Sequence, residues 1–248
     1  MANPALAQSQ LSKLEIVSNE NAMTINGTVN KTIISLSILL IAASFTFANP
    51  VLGINLIWPG FILGFIVAMV TVFKKEWAPI TVPIYAVLEG LALGGISVVY
   101  EKFLQPEGGE FDGIAIQAMG LTACILFGLL FAYRSKMIVV TQKLRSIIVT
   151  ATIGIFLFFI LNIIMSLFFG SAFSSMNPLN GSITSIAISV FIVGIAAFNL
   201  LLDFDLIEKG AEKGWPKYME WYGAFGLLVT LVWLYLEVLR LLAKLRSR

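Results

Sequence analysis

Long apolar runs, each close to the thickness of a lipid bilayer, recur seven times along this chain of 248 residues. A membrane-spanning helix needs about 20 apolar residues, whereas a soluble domain contains roughly 25% charged residues. Here 58% of the residues are hydrophobic, only 12% are charged, and the mean hydropathy is +0.93. Unbroken runs such as residues 153–161 lack the alternation of transmembrane barrel strands. The sequence therefore predicts an all-α integral membrane protein with seven transmembrane helices.

Short polar segments separate the predicted spans. The N-terminal residues are polar and mixed, so we predict a flexible cytoplasmic tail over residues 1–30 and a seven-helix transmembrane domain over residues 31–248. No basic segment leads into an early apolar core, and we expect no cleavable signal peptide. The predicted spans are residues 32–48, 54–73, 80–100, 113–133, 147–169, 183–202 and 221–242.

The basic residues of the loops predict which side of the membrane each loop faces, because short cytoplasmic loops carry an excess of Lys and Arg. Eleven basic residues fall on the side of the N-terminal tail and five on the other, so we expect the N-terminus in the cytoplasm. The basic C-terminus then lies on the opposite side. Either the seventh helix tolerates this, or one apolar stretch is re-entrant. The larger set is Lys13, Lys31, Lys74, Lys75, Arg134, Lys136, Lys143, Arg145, Lys209, Lys213 and Lys217; the smaller is Lys102, Arg240, Lys244, Arg246 and Arg248.

Several classes of protein need residues that this chain lacks. It contains no histidine, which excludes Ser–His catalysis and histidine-based zinc sites, and it has no GxGD motif. Lys244 falls outside the predicted last span, which argues against a retinal protein. The single cysteine, Cys124, cannot form an internal disulfide and is expected to face other helices. We expect no enzyme, no cofactor, no metal site and no nucleic-acid partner.

The main candidate site is the end of the sixth span, where an apolar helix runs into three carboxylates. Acids at or inside the hydrocarbon boundary are costly and mark function by default. Asn199 and Asp203 are four residues apart and share a helix face. Asp205 lies about 200° around the helix from Asp203 and can pair with Lys209 in a solvated contact. We expect Asp203 to face the interior, with Asp205 and Glu208 at the cytoplasmic rim; the alternative for Asp203 is a hydrated helix-end acid.

Two further acids interrupt apolar helices. Glu89 lies near the middle of the third span, where an unpaired carboxylate costs roughly 3 kcal/mol or more. It must be protonated, hydrated or paired, which makes it a candidate acid-range switch; the alternative is a protonated acid bonded to a helix backbone. Glu237 lies three residues before Arg240, and the expected contact is an i,i+3 ion pair. Glu220 is expected to belong to the start of the seventh helix, where acids suit the helix dipole.

Carboxylates among small interior residues are typical of a cation path. Oxygen ligands suit hard cations such as Ca²⁺, and acidic side chains at a pore favour cations over anions. The spacing of an EF-hand loop is absent, so tight Ca²⁺ chelation is not indicated. The second span contains a GxxxG pattern at Gly60 and Gly64, and the third contains Gly90, Gly94 and Gly95, which permit close contact between helices.

The C-terminal part of the chain contains three recognisable motifs. They are Leu201-Leu202-Asp203-Phe204-Asp205-Leu206-Ile207-Glu208, then Ala211-Glu212-Lys213-Gly214 with Tyr218-Met219-Glu220-Trp221-Tyr222, and finally Leu234-Tyr235-Leu236-Glu237-Val238-Leu239-Arg240. With Leu88-Glu89-Gly90-Leu91-Ala92-Leu93-Gly94 of the third span, they resemble the Bax-inhibitor-motif family of membrane proteins, in its bacterial branch. The resemblance covers residues 24–248.

This resemblance implies a fold of six helices around a central C-terminal helix. It also implies a pH-sensitive calcium leak, in which two aspartates on the last two helices share a proton and latch the pore. Asp203 matches the first aspartate, but residues 227–230 contain no acid where the second is expected. One carboxylate alone cannot give a coupled titration. Glu89 or Glu237 is the candidate substitute.

The leading hypothesis is a pH-modulated passive cation leak, with calcium as the expected ion, gated by buried carboxylates. Its predicted pathway residues are Asp203, Glu89, Asp205, Asn199 and Glu237. The alternative is a non-conducting regulatory protein that binds a partner such as a membrane protease. A proton-coupled transporter ranks third, because such proteins are usually built from two related halves, which this sequence lacks. The expected partners are membrane lipid and a cation in transit, and the expected location is a bacterial inner membrane.

Overall fold

The computed structural model describes residues 21–104, 113–170 and 173–247, and these are mostly helical. Short 3-10 turns at Lys75–Trp77 and Ser174–Met176 precede the third and sixth helices. Within the described ranges, extended backbone pairs only in an isolated antiparallel bridge between Ala22 and Pro216. The long helices are α1 (Ile25–Ala48), α2 (Pro50–Phe73), α3 (Ala78–Leu104), α4 (Ile114–Arg134), α5 (Gln142–Phe169), α6 (Ile183–Glu212) and α7 (Met219–Arg246).

All seven of these described helices are long and apolar enough to cross a membrane, which confirms the predicted fold class. The main differences from the predicted spans are at the helix ends. α6 continues through the acidic stretch to Glu212, and α7 continues to Arg246. A helix keeps its backbone hydrogen bonds after it leaves the hydrocarbon layer, so hydropathy marks the crossing and not the end of the helix.

The first helix begins inside the predicted tail. Residues 1–20 lie outside the described part of the chain, but α1 starts at Ile25. Thr24 is its N-cap, and the Thr24 hydroxyl oxygen accepts a hydrogen bond from the Gly27 backbone N–H at 2.9 Å. Such a hydroxyl satisfies one of the backbone donors that a helix start leaves unpaired. The helix begins before the predicted span because Thr24 and most of residues 25–31 are polar, which lowers the hydropathy of this stretch.

Two compact units divide the described residues. The Glu89 unit comprises residues 21–99 and 203–232, and the Lys244 unit comprises the described residues of 100–202 and 233–247. The divisions fall inside α3, α6 and α7, so each of these helices contributes residues to both units.

Small residues bring the helices of the Glu89 unit into backbone contact. A Cβ atom at Gly60 of α2 would lie 2.8 Å from the backbone oxygen of Leu88 on α3. A Cβ atom at Gly94 of α3 would overlap the backbone oxygen of Ala43 on α1. Any larger residue at these positions would push the helices apart, so the glycine patterns of the second and third spans do permit the close packing predicted for them.

In the Glu89 unit, a carboxylate on α7 is hydrogen-bonded to the start of α1. Glu220 Oε1 accepts hydrogen bonds from the Thr24 backbone N–H at 3.1 Å and from the Thr24 hydroxyl at 2.9 Å. In a capping box, a glutamate of the same helix makes the bond to the N-cap backbone; here the glutamate comes from another helix. Glu220 is buried, so its role extends beyond the helix-start position that the sequence indicates.

The Lys244 unit has an apolar core formed by α5, α6 and α7. Ile155, Ile192 and Ile195 are buried there, with Phe159 and Trp233 packed against them. Cys124 on α4 is exposed instead of facing other helices, so that prediction was wrong. Lipid tails are as apolar as a helix interface, and hydropathy therefore does not distinguish the two surroundings of a small apolar residue.

The seven helices differ strongly in how enclosed they are. In their most apolar windows, the buried share is 61% for α3 and 56% for both α6 and α7, but only 17–22% for the other four. Large apolar residues such as Phe65, Phe131 and Phe168 are exposed on the less enclosed helices, as expected of surfaces that contact lipid. The acids Glu89, Asp203 and Glu237 therefore all belong to the most enclosed helices.

Candidate functional site

Asp203 is buried within α6. Its exposed fraction is 2%, and its carboxyl group is hydrogen-bonded to the side chain of Thr230 on α7. The Asp203 Oδ2 atom has no hydrogen-bond partner among the described residues. A side chain this buried does not fit the alternative interpretation of a hydrated helix-end acid. Asp203 is instead an enclosed carboxyl group with one hydroxyl donor and one unused oxygen.

Thr230 lies in the stretch where the resemblance leads one to expect a second aspartate. It is buried, and its side chain is a hydroxyl that keeps its charge state over the whole range in which carboxyl groups titrate. The sequence shows that residues 227–230 contain no acid, but it did not identify Thr230 as the hydrogen-bond partner of Asp203. The available signal was one polar residue within the apolar run of α7.

Glu89 is another enclosed carboxyl group of this unit. Its exposed fraction is 6%, and it is hydrogen-bonded to the side chain of Tyr85 one turn earlier on α3. Glu89 Oε2 has no partner in the described part of the chain. A Cβ atom at Gly64 would lie 2.9 Å from Glu89 Oε1. The second glycine of the GxxxG pattern therefore also makes room for a carboxyl group.

Glu89 and Asp203 share the same chemical arrangement. Each is buried on an enclosed helix, each is bonded to a hydroxyl group, and each retains one oxygen without a partner among the described residues. Because Glu89 Oε2 and Asp203 Oδ2 have no partners, these two atoms do not bond each other. An unused carboxyl oxygen in such a place can hold a proton, a water molecule or a passing cation, since a buried oxygen without any partner is costly.

Asp205 makes the predicted ion pair but in a different setting. Its Oδ2 lies 2.7 Å from Lys209 Nζ, which confirms the i,i+4 contact. The pair is only partly solvated, because Asp205 is 7% exposed. Its assignment to a solvated rim was therefore wrong, since α6 is enclosed on more than one side at this level. Glu208, by contrast, is exposed as predicted.

Asn199 and Glu237 belong to the Lys244 unit, and both have partners there. Asn199 Nδ2 donates to the Thr152 hydroxyl at 2.9 Å and to the Ile195 backbone oxygen at 2.8 Å, which links α6 to α5. Both oxygens of Glu237 accept from Arg240 Nη1 at 2.9 Å. The predicted i,i+3 ion pair is confirmed, and the Glu237 side chain within it is 2% exposed. These contacts give both residues a role in packing.

Lys244 is an enclosed charged residue that the sequence placed outside the last span. α7 continues past the predicted end of the span and includes Lys244, which is 1% exposed. Its Nζ atom donates to oxygens of Ser175, Ser185 and Ser189. The only signal in the sequence was its position seven residues, or about two helical turns, after Glu237.

Clustered metal ligands are not part of the described site. Within residues 21–104, 113–170 and 173–247, no group of three or more His, Cys, Asp and Glu side chains could hold a metal ion. In these ranges the carboxyl groups of Glu89 and Asp203 therefore do not belong to a chelating cluster of three or more such side chains.

Comparison with known proteins identifies the family. The sequence profile of the family described as Bax inhibitor 1 like matches residues 3–247, nearly the whole chain. No curated protein and no solved structure matches this chain. The family is not known as a family of enzymes. With seven described helices that are apolar enough to cross a membrane, the chain is a multi-pass integral membrane protein that belongs to the Bax inhibitor 1-like family.

Proposed function

We propose that this protein is a passive, pH-modulated cation leak, with calcium as its ion and with Asp203 and Glu89 as its protonatable groups. The observation that supports this proposal most is that Glu89 and Asp203 are enclosed carboxyl groups, each bonded to a hydroxyl group and each with an oxygen that has no partner among the described residues. Buried Glu101 also has such an oxygen, but its Oε1 accepts a hydrogen bond from the Ala115 backbone N–H at 3.0 Å. Intramembrane acids of this kind are functional candidates by default, because a carboxyl group without a charged partner is costly in a membrane-spanning helix.

Charge gives the expected direction of the pH response. An ionised carboxylate on an enclosed helix attracts cations and repels anions. Protonation of Asp203 and Glu89 removes that charge, so cation flux falls as the solution becomes more acidic. The hydroxyl groups of Thr230 and Tyr85 stay in place in both states and keep the carboxyl groups oriented.

Calcium fits this arrangement as an ion in transit. Carboxylate and hydroxyl oxygens are the ligands that hard cations prefer. The described residues form no chelating cluster of three or more His, Cys, Asp or Glu side chains, and conduction requires that an ion bind weakly enough to leave again. Weak binding therefore favours leakage over storage.

The proposed location is a bacterial inner membrane with the N-terminus in the cytoplasm. The excess of basic residues on the side of the tail supports this orientation. Three of these basic residues are exposed where α4 and α5 are joined: Arg134 at the end of α4, Lys136 in the loop and Lys143 in the first turn of α5. The acidic end of α6 then faces the cytoplasm as well.

Calcium flux into proteoliposomes tests the proposal. The purified chain is reconstituted with a calcium-sensitive dye inside the vesicles, and flux is measured over a pH series for the wild type, Asp203→Asn and Glu89→Gln. We expect wild-type flux to fall on acidification. Each neutral variant should show low flux at alkaline pH and a flattened pH dependence. Glu208→Gln, on the exposed side of α6, is the matched control and should behave as the wild type.

Two outcomes would contradict the proposal in different ways. Unchanged flux in both neutral variants would show that Asp203 and Glu89 do not gate the path. No flux in the wild type would favour the alternative of a regulatory membrane protein. That alternative predicts a co-purifying partner such as a membrane protease, which is lost when the N-terminal tail or the charges of the basic loop between α4 and α5 are removed.

A further inference from the structure

Lys244 directs its ammonium group into an enclosed set of three oxygens. Its Nζ atom donates to the Ser175 backbone oxygen at 2.5 Å, to the Ser189 hydroxyl at 2.8 Å and to the Ser185 backbone oxygen at 3.3 Å. Ser185 and Ser189 are buried, as is Lys244 itself. None of these three partners is a carboxylate. We call the three oxygens the serine site.

Neutral oxygens are an unusual set of partners for a buried lysine. A buried ammonium group is costly unless it is paired or fully hydrogen-bonded, and most such groups meet a carboxylate. Here the acid nearest along α7, Glu237, is already bonded to Arg240 through both of its oxygens. The three donors of the ammonium group instead match three neutral acceptors. The serine site thus supplies a hydrogen-bond acceptor for each donor of the ammonium group and stabilises the cation without a negative charge.

These ligands are of the kind that hold free monovalent cations. Rings of backbone oxygens replace the hydration shell of an alkali cation in selective channels. The serine site combines two backbone oxygens and one hydroxyl at distances suited to ammonium. In this chain the cation is supplied by a lysine side chain, so it is tethered to α7.

The serine site also joins separate parts of the Lys244 unit. Ser175 lies in the 3-10 turn Ser174–Met176, and the other two serines lie in the first turns of α6. The Ser185 hydroxyl donates to the same Ser175 backbone oxygen at 3.1 Å, and Asn180 Nδ2 donates to the Ser174 backbone oxygen at 2.9 Å. The connection before α6 is therefore folded on itself and attached to the end of α7 through one ammonium group.

We propose that the serine site is a monovalent-cation site that Lys244 fills as a tethered cation, and that a free cation of ammonium size enters it when the lysine is removed. The Lys244 ammonium group in the site attaches the α5–α6 connection to the end of α7, whereas a free cation there would only bridge the Ser175 turn and α6. This role is separate from the proposed leak, because the serine site lies in the Lys244 unit and Asp203 and Glu89 lie in the other unit.

The proposal is tested by asking whether a free cation restores the thermal stability of a variant that lacks the Lys244 side chain. Thermal unfolding of the full-length chain in detergent is measured for the wild type and Lys244→Ala in ammonium chloride, in sodium chloride and in tetramethylammonium chloride at equal ionic strength. We expect Lys244→Ala to unfold at a lower temperature than the wild type. Ammonium should recover part of that loss, because a ligand that binds only the folded state stabilises it, whereas tetramethylammonium is too bulky and has no N–H donor. The wild type should respond equally to all three salts.

A second substitution tests whether the ammonium effect depends on the oxygens of the serine site. Adding Ser189→Ala to Lys244→Ala removes the hydroxyl ligand, and the ammonium effect should fall severalfold. An equal response of Lys244→Ala to ammonium and tetramethylammonium would overturn the proposal. So would an ammonium effect that persists unchanged without the Ser189 hydroxyl.

Amine labelling of the intact lysine covers the case in which Lys244→Ala does not fold. In the wild type, an acylating reagent should modify exposed Lys136 many times faster than Lys244. Ser189→Ala alone leaves the ammonium group with two of its three acceptors, and labelling of Lys244 should rise severalfold while that of Lys136 stays constant. Labelling of Lys244 that does not change in Ser189→Ala would overturn the assignment of the serine site.

Discussion

The side chain of Thr230 on α7 is hydrogen-bonded to the carboxyl group of Asp203 on α6, and both residues are buried. The family resemblance leads one to expect an aspartate near this point of α7, which would share a proton with Asp203. A hydroxyl group gives Asp203 a hydrogen-bond partner but no second charge. At this contact Asp203 therefore titrates without a coupled carboxylate, and the proposed switch differs here from a two-aspartate latch.

Thr230→Asp should change the shape of the pH response. Two neighbouring carboxyl groups repel each other when both are ionised, so their protons leave in two separate steps. We expect calcium flux to depend on pH over a broader range in this variant, with two resolved steps. Thr230→Asn has nearly the same size without the titration and should retain a single step. Identical flux profiles for the two variants would contradict a direct interaction between residue 230 and Asp203.

Gly94→Ala should destabilise the protein by forcing α3 away from α1. The added Cβ would overlap the Ala43 backbone oxygen and the Thr46 hydroxyl oxygen, and overpacking of this kind costs about 1–3 kcal/mol. Gly128→Ala is the matched control, because a Cβ at this position of α4 meets no atom within 4 Å. It should be neutral or slightly stabilising, since alanine favours a helix over glycine by about 1 kcal/mol. Thermal unfolding in detergent that gave both variants the same shift would refute this packing.

Glu220→Ala should loosen the start of α1. The substitution removes the acceptor for the backbone N–H and the hydroxyl of Thr24, and a hydrogen bond to a charged group contributes about 1.5–3 kcal/mol. Hydrogen exchange of the backbone amides over residues 24–28 should speed up, while the amides in the middle of α5 should not change. Glu220→Gln retains an acceptor oxygen and should give a smaller effect. Glu208→Ala, at an exposed position, should leave exchange at α1 unaffected.

Asn199 and Thr152 should be energetically coupled. The hydrogen bond between their side chains is 2.9 Å long and links α6 to α5, and such contacts between membrane helices average about 0.6 kcal/mol. A double-mutant cycle with Asn199→Ala and Thr152→Val, followed by unfolding in detergent, measures the coupling. Strictly additive effects would mean that the hydrogen bond does not stabilise the fold. Normal calcium flux in Asn199→Ala would support a packing role over a place in the ion pathway.

Contacts within one helix were predictable from spacing alone. The pairs Asp205–Lys209 and Glu237–Arg240 form as expected, because a helix fixes the distance between residues three or four positions apart. Their burial was not predictable, since it depends on which other helices lie against that face. For the same reason the sequence identified Asp203 and Glu89 as candidate sites but did not reveal Thr230 as a partner.

The sequence by itself determined the seven helices and their approximate bounds. A lipid bilayer leaves the backbone of a long apolar segment one way to satisfy its hydrogen bonds, and it requires about 20 residues to do so. Only the tertiary structure decided which polar residues meet: Asp203 with Thr230, Glu220 with Thr24, and Lys244 with Ser175. The partners in each pair are far apart in the chain. Their contact depends on how helices pack, and hydropathy carries little information on packing because lipid and helix interfaces are equally apolar.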